Sequence, residues 1–181
     1  MFRFALTGLL LMASFTSCAT TATADLPTTP EMMALEPLVG HWRGTAEFLV
    51  VPESMAEMLQ PGPDGEYPEL GGRNSTCFGL NGTVLIQEGW HEMGEGADES
   101  HYLQITRWDA EAGNYHSWYF SNIGEIGEST MTIDPATRTF TMTSFGTRPD
   151  GTEFSGSGSM TFVTDDQIDW TWTEDNGLEM Q

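Results

Sequence analysis

Apolar and polar residues alternate along most of this chain. In residues 41–50 (HWRGTAEFLV), every second position from Trp42 to Val50 is apolar or Gly, and the positions between are mostly polar. The same period of two recurs in residues 154–162 and in residues 168–172 (IDWTW). Such alternation is typical of β-strands that bury one face. The sequence therefore predicts a protein built from short strands.

Turn signals separate these alternating segments. The pairs and runs NG, DPAT and RPDGT interrupt the pattern at intervals that suit hairpins. Nine strands in one open sheet would leave long unpaired edges, and closing the sheet on itself removes them. We therefore predict an all-β fold, an antiparallel up-and-down barrel of about 8–10 strands. The predicted strands cover residues 41–50, 73–80, 83–93, 100–108, 114–121, 127–134, 138–146, 152–163 and 168–174.

The first 24 residues have the composition of an export signal. Arg3 precedes an apolar run over residues 4–15, which is shorter than the roughly 20 residues that a membrane-spanning helix needs. A short apolar run behind a positive charge is typical of a signal peptide. We therefore predict a signal peptide over residues 1–24, a tether over 25–34 and a single barrel domain over 35–181.

Two cleavage sites are consistent with this leader. The tetrapeptide FTSC resembles a bacterial lipobox, in which Cys18 would carry the lipid, although Phe15 stands where the motif usually has Leu. Alternatively, an A-x-A site at residues 22–24 would release the chain before Asp25. The first alternative predicts an outer-membrane or cell-surface lipoprotein, whose contact with the membrane is its lipid anchor. The second predicts a periplasmic protein.

Charge and cysteine content exclude several classes of function. The chain has 27 acidic residues, six Arg and no Lys, giving a net charge of −21. Such a surface repels the phosphates of nucleic acids, so we exclude DNA and RNA as partners. One of the two cysteines lies in the predicted leader. This excludes a domain held by several disulfides and a cysteine-rich zinc site.

The segment LEPLVGHWRG resembles the entry to the barrel of calycins, the lipocalin-like proteins. Its fuller pattern also resembles a family of exported, lipocalin-like bacterial proteins to which no reaction is assigned, and the resemblance extends over about residues 31–175. It implies that a short N-terminal helix plugs one end of the barrel and that Trp42 packs inside that end. In such barrels the last strand usually carries a basic residue near the entry Trp, whereas this chain has none after Arg148. The signature positions are Leu35, Leu38, Gly40, Trp42 and Gly44.

A ligand pocket is predicted from strand 83–93. If its even-numbered residues face inward, Val84, Ile86, Glu88, Trp90 and Glu92 line the barrel. A buried Glu88 would need a partner, which Arg107 on a neighbouring strand could supply. Together with Trp90 and Trp118, this pair would form an aromatic pocket with a polar anchor. A shift of the phase by one residue would instead place Glu88 in solvent.

The remaining candidate chemistry is sparse. The histidines show no metal-ligand spacing, and no Ser lies in a nucleophile motif. Resemblance to the nitrobindin type of barrel would imply a haem ligand, for which His116 is our choice.

We expect an exported, non-catalytic barrel that binds a small apolar or amphipathic molecule, with no metal and no obligatory cofactor. The alternatives are an enzyme or haem protein using His116 or Glu88, and a scaffold whose barrel is filled by its own side chains. The oligomeric state stays open.

Overall fold

The structure is a computed structural model that describes residues 26–53, 56, 59, 61–62, 65–92 and 100–181. The predicted leader, including Cys18, lies outside the described residues. The described part contains the α-helix α1 (Pro30–Met33), helical residues at positions 53, 56 and 59, a 3₁₀ turn (Glu36–Leu38) and eleven strands. The strands are β1 (Gly40–Ala46), β2 (Phe48–Val50), β3 (Leu70–Gly79), β4 (Val84–Glu92), β5 (Ser100–Asp109), β6 (Asn114–Ser121), β7 (Ile126–Asp134), β8 (Thr139–Thr147), β9 (Glu153–Phe162), β10 (Ile168–Glu174) and β11 (Glu179–Met180).

The eleven strands form one antiparallel sheet that curls into a nearly closed barrel. From β3 to β11 each strand pairs with the next along the chain, β1 pairs with β3, and β11 pairs with β2. β1 and β2 are the two edge strands of the sheet, and only Glu47 separates them in the chain. This short segment therefore joins the two edges. Glu47 and Gln181 exchange two backbone hydrogen bonds of 2.8 and 3.1 Å at this seam. The predicted all-β, up-and-down barrel is confirmed, with β2 and β11 as short additional strands.

One end of the barrel is packed with apolar side chains. We call it the closed end; it holds the β3–β4, β5–β6, β7–β8 and β9–β10 turns. The inward-facing residues of successive strands meet there in a single core. Trp42 belongs to its margin, donates a hydrogen bond of 3.0 Å from Nε1 to the Leu38 carbonyl oxygen, and packs edge-on against Phe162. The core residues are Met32, Leu35, Phe78, Leu85, Tyr115, Met131, Phe140 and Phe162.

The N-terminal residues plug this closed end, as predicted. Met32 in α1 and Leu35 are almost completely buried in the core, so the last part of the predicted tether packs into the barrel. The side-chain oxygen of Thr29 caps α1 by accepting from the Met32 N–H, and the Tyr115 hydroxyl donates to the Glu31 carbonyl oxygen at 2.6 Å. These contacts fix the plug in place without a long helix.

An arginine does cover the closed end, although none follows Arg148. The Arg138 guanidinium lies over the Phe162 ring at 5.3 Å and pairs with Asp165 at 2.8 Å. Phe162 in turn contacts Trp42. Arg138 comes from the β7–β8 turn, so a residue of a turn supplies the cation that the calycin resemblance placed on the last strand.

The opposite end, which we call the open end, has a different lining. The β6–β7, β8–β9 and β10–β11 connections lie there, and the inward-facing positions are mostly polar, Gly or aromatic. No helix in the part of the chain that the structure describes is long and apolar enough to cross a membrane. The polar lining makes the open end the candidate location of a functional site.

Candidate functional site at the open end of the barrel

A cavity of about 540 Å³ lies at the rim of the open end. The cavity lies across the edge of the barrel wall. Residues that face outward on β7 to β9 line it together with residues that face into the barrel. Aromatic, aliphatic and charged side chains all contribute. The lining residues are Ile126, Gly127, Glu128, Phe145, Gly146, Thr147, Arg148, Glu153, Phe154, Ser155, Glu174, Asp175 and Asn176.

An ion pair forms the polar side of this cavity. Arg148 follows β8 and Glu174 ends β10, and their Nη2 and Oε2 atoms are 2.5 Å apart. The pair is largely shielded, with 24% of the Arg148 side chain and 10% of the Glu174 side chain exposed. The Arg148 guanidinium also lies over the Phe154 ring at 5.0 Å. Its charge is therefore already engaged by a carboxylate and an aromatic face.

A second carboxyl group stands close to this pair. Glu125, in the β6–β7 connection, is half-buried and interacts electrostatically with both Arg148 and Glu174. Burial raises the pKa of Glu125, Arg148 lowers it and Glu174 raises it, with a net shift upward. Since desolvation disfavours the ionised form, this carboxyl group would gain from a nearby positive charge.

Below the rim the barrel interior is lined by hydrogen-bonding aromatic residues. Gln87 donates from Nε2 to the Tyr102 hydroxyl at 3.3 Å, the Tyr119 ring stacks on Tyr102, and the His91 ring packs against it at a tilt. Burial raises the pKa of Tyr102 to about 12 and also raises the pKa of Tyr119. It lowers the pKa of His91, which favours the neutral imidazole. These groups offer uncharged hydrogen-bond donors and acceptors to the interior.

Glycines allow aromatic rings to lie flat against the inner wall. A Cβ atom at Gly146 would meet the Phe154 ring, and one at Gly158 would meet the Trp172 ring. At Gly89 the same atom would collide with the Tyr102 ring. The rings thus cover backbone that carries no side chain.

Apolar side chains lie along part of the outer edge of the cavity. Four large hydrophobic residues are exposed here on β6, on β8 and around the β6–β7 connection, and we call them the apolar lip. Two of them, Phe120 and Ile126, stand directly opposite one another in the sheet. The exposed fractions are 57% for Phe145, 55% for Ile126, 51% for Ile123 and 44% for Phe120. Contiguous exposed apolar residues of this kind commonly mark a binding surface.

The predicted inward phase of strand 83–93 is wrong. Leu85 is in the core, and Gln87 and His91 contact Tyr102 inside the barrel, so the odd-numbered residues of β4 face inward. Glu88 and Trp90 therefore lie on the outer wall. Glu88 pairs with His101, whose Nε2 lies 3.0 Å from the Glu88 Oε1, and the Trp90 ring stacks on His101. Gly89 is compatible with this phase, because a residue without Cβ leaves room for the Tyr102 ring.

The other predicted ligand-binding residues also face outward. The Arg107 guanidinium lies over the Trp118 ring at 5.5 Å, which places both on the outer wall and does not bring Arg107 to Glu88. The ring of His116 stacks on Trp118, and its Nε2 lies 2.9 Å from the Glu128 Oε2. Glu128 lines the cavity, so its pair with His116 lies beside the cavity on the outer wall.

Two observations bear on metals and haem. The nitrogen of His116 that would have to bind haem iron is engaged by Glu128, and the ring lies on the outer wall instead of inside the barrel. Within the described ranges, no group of three or more His, Cys, Asp or Glu side chains is placed to hold a metal ion.

Sequence reasoning missed most of the residues at the cavity. Phe145 and Arg148 belong to β8 and its end, Glu174 ends β10, and no motif links them. The alternation in residues 154–162 predicted that Phe154 shares a face with Phe162, and Phe162 lies in the core. One signal was available in the sequence: Phe145 is an apolar residue on the face of β8 opposite to that of Phe140.

Comparison with known proteins adds no relative: no protein-family model matches the chain, and no curated protein matches it. The barrel itself is compatible with a calycin-like fold, since it is antiparallel, nearly closed and plugged at one end.

Proposed function

We propose that this protein is an exported, calycin-type barrel that binds a small amphipathic molecule at its open end without transforming it. The proposal of export rests on the predicted leader, and that of a calycin on the signature around Trp42. The observation that carries the binding proposal is the cavity at the rim, where an exposed apolar lip meets a shielded ion pair.

Apolar and polar groups are arranged there in the way an amphipathic ligand requires. Phe145 and Ile126 would cover the apolar part of the ligand, which stabilises the complex by removing both surfaces from water. Arg148, Glu174 and the carboxyl groups around them would meet its polar part. Binding sites commonly combine predominantly apolar walls with a few charged groups that orient the ligand.

Nile red, an uncharged fluorophore that brightens in apolar surroundings, tests this proposal. We expect the wild-type protein to bind it saturably, and Phe145→Ser to weaken binding about threefold to tenfold because roughly one aromatic contact is lost. Phe145 is exposed, so the fold should be unaffected. Val163→Ser is the matched control, since Val163 is similarly exposed but lies at the closed end.

Two results would contradict the proposal. One is the absence of saturable binding to wild-type protein whose circular dichroism shows a folded barrel. The other is an equal loss of affinity in the Phe145→Ser and Val163→Ser variants, because it would mean that the probe binds exposed apolar residues without regard to the cavity.

A further inference from the structure

The charges around the cavity are unbalanced. Four of its lining residues carry carboxyl groups, whereas a single lining residue, Arg148, carries a fixed positive charge. The half-buried Glu125 adds a further carboxyl group beside the ion pair. The lining carboxyl groups belong to Glu128, Glu153, Glu174 and Asp175.

The one arginine has little charge left for a ligand. Its guanidinium is held by Glu174 at 2.5 Å and by the face of Phe154. An anionic head group would have to separate Arg148 from Glu174 in a partly desolvated place, which leaves a carboxylate uncompensated. The site therefore disfavours carboxylates, sulfates and phosphates as ligand heads.

A cation meets the opposite conditions. Glu153 is exposed at the edge of the cavity, and Asp175 accepts a hydrogen bond from Ser155 within the same lining. The exposed ring of Phe145 offers an aromatic face, to which ammonium groups are attracted. Charges of one sign gathered around a concave surface also raise the local concentration of oppositely charged ligands.

We propose, building on the function proposed above, that the ligand is an amphiphile whose head is an organic cation, such as a primary or quaternary ammonium group. Its alkyl or aryl part lies on the apolar lip, and its head lies between Phe145 and the carboxyl groups of Glu153 and Asp175. Arg148 and Glu174 neutralise one another, so the charges of Glu153 and Asp175 face the head.

Three ten-carbon amphiphiles with different heads test this inference: decyltrimethylammonium, decyl glucoside and decyl sulfate. Each is titrated below its micellar concentration against the wild-type protein with bound Nile red as the reporter. We expect the ammonium compound to displace the probe at concentrations at least about tenfold lower than the glucoside, and the sulfate to be the weakest.

Two variants separate the site from the overall charge of the protein. Glu153→Gln should weaken the ammonium compound about threefold to tenfold and leave the glucoside unchanged, since one charge beside the head is removed. Glu111→Gln is the matched control, because it removes one exposed carboxylate at the closed end. Glu174→Gln should release Arg148 and improve binding of decyl sulfate relative to wild type.

The outcomes distinguish this inference from the proposed function. If all three heads bind equally, the cationic ligand is wrong while the binding function stands. If Glu111→Gln weakens the ammonium compound as much as Glu153→Gln does, the preference comes from the net charge and the inference is again wrong. If none of the compounds binds and Nile red is not bound either, both proposals fail.

Discussion

The two ends of this barrel use the same sheet for different purposes. At the closed end the inner face is apolar, α1 and the 3₁₀ turn cover it, and Phe140 is only 2% exposed. At the open end the inner face carries amides, hydroxyls and charges, while apolar residues stand on the outer edge. β8 shows the contrast, since Phe140 is buried inside the closed end whereas Phe145 is exposed on the outer face of the open end.

The difference follows from what each end has to do. Burying large apolar side chains at the closed end supplies the stability that the domain needs. The open end contributes less stability from buried apolar side chains. Its exposed apolar residues are unfavourable in water. Such a cost is expected where a surface binds something. The predictions below test whether stability and binding are indeed divided between the two ends.

The largest expected effect separates two phenylalanines on β8. Phe140→Ala should lower the free energy of unfolding by about 3–5 kcal/mol, because a fully buried ring is replaced by a cavity in the core. Phe145→Ala, on the same strand at the open end, should change it by less than about 0.5 kcal/mol. Urea unfolding measures both. Similar values for the two variants would mean that the open end is as tightly packed as the closed end.

An intermediate effect is expected from glycines in the wall. Gly158→Ala should destabilise the protein by about 1–3 kcal/mol, because its Cβ would collide with the Thr171 backbone and the Trp172 ring. Gly44→Ala, where no atom lies within 4 Å of the new Cβ, should be neutral or slightly stabilising. Thermal melting of the two variants gives the comparison. A neutral Gly158→Ala would show that Trp172 moves freely.

The smallest effect concerns pH and belongs to the open end. Burial holds the pKa of His91 below its ordinary value of 6.5. Between the lowered value and 6.5 the unfolded chain binds more protons than the folded one, so this group's contribution to stability is present above pH 6.5 and is lost as the pH falls through that window. His91→Gln should therefore flatten the fall of Tm between pH 7 and pH 5. His41→Gln, at an exposed position, is the control for the change of residue type.

The closed end could be predicted from the sequence, and the open end could not. Around Trp42 the spacing of Leu and Gly residues, together with clean alternation in β1 and β9, indicated both the fold and the packed end. In β4 the even phase, with Ile86 and Trp90, is more apolar than the odd phase, with Gln87 and His91. The chain nevertheless turns the polar set inward, because Tyr102 needs the space and hydrogen bonds that this set offers.

The candidate site was missed for a related reason. Its residues come from β7, β8, β9 and β10, and only the curvature and register of the barrel bring them together. Alternation shows which residues share a face of a strand, but it does not show where an apolar residue on the outer face stands beside a charged one at the rim. Arg148 and Glu174 are 26 positions apart, and nothing local in the sequence connects them.

The seam between Glu47 and Gln181 has a consequence for the order of events in synthesis. These two residues meet only after nearly the whole barrel has been made, because every strand from β3 to β10 lies between them in the chain. Until residues 179–181 leave the ribosome, the growing sheet keeps an open edge at β10 and at β2. Closing so large a loop is entropically slow. The nascent chain therefore spends its synthesis without a finished barrel, which is the condition in which a polypeptide can still be threaded through a narrow channel.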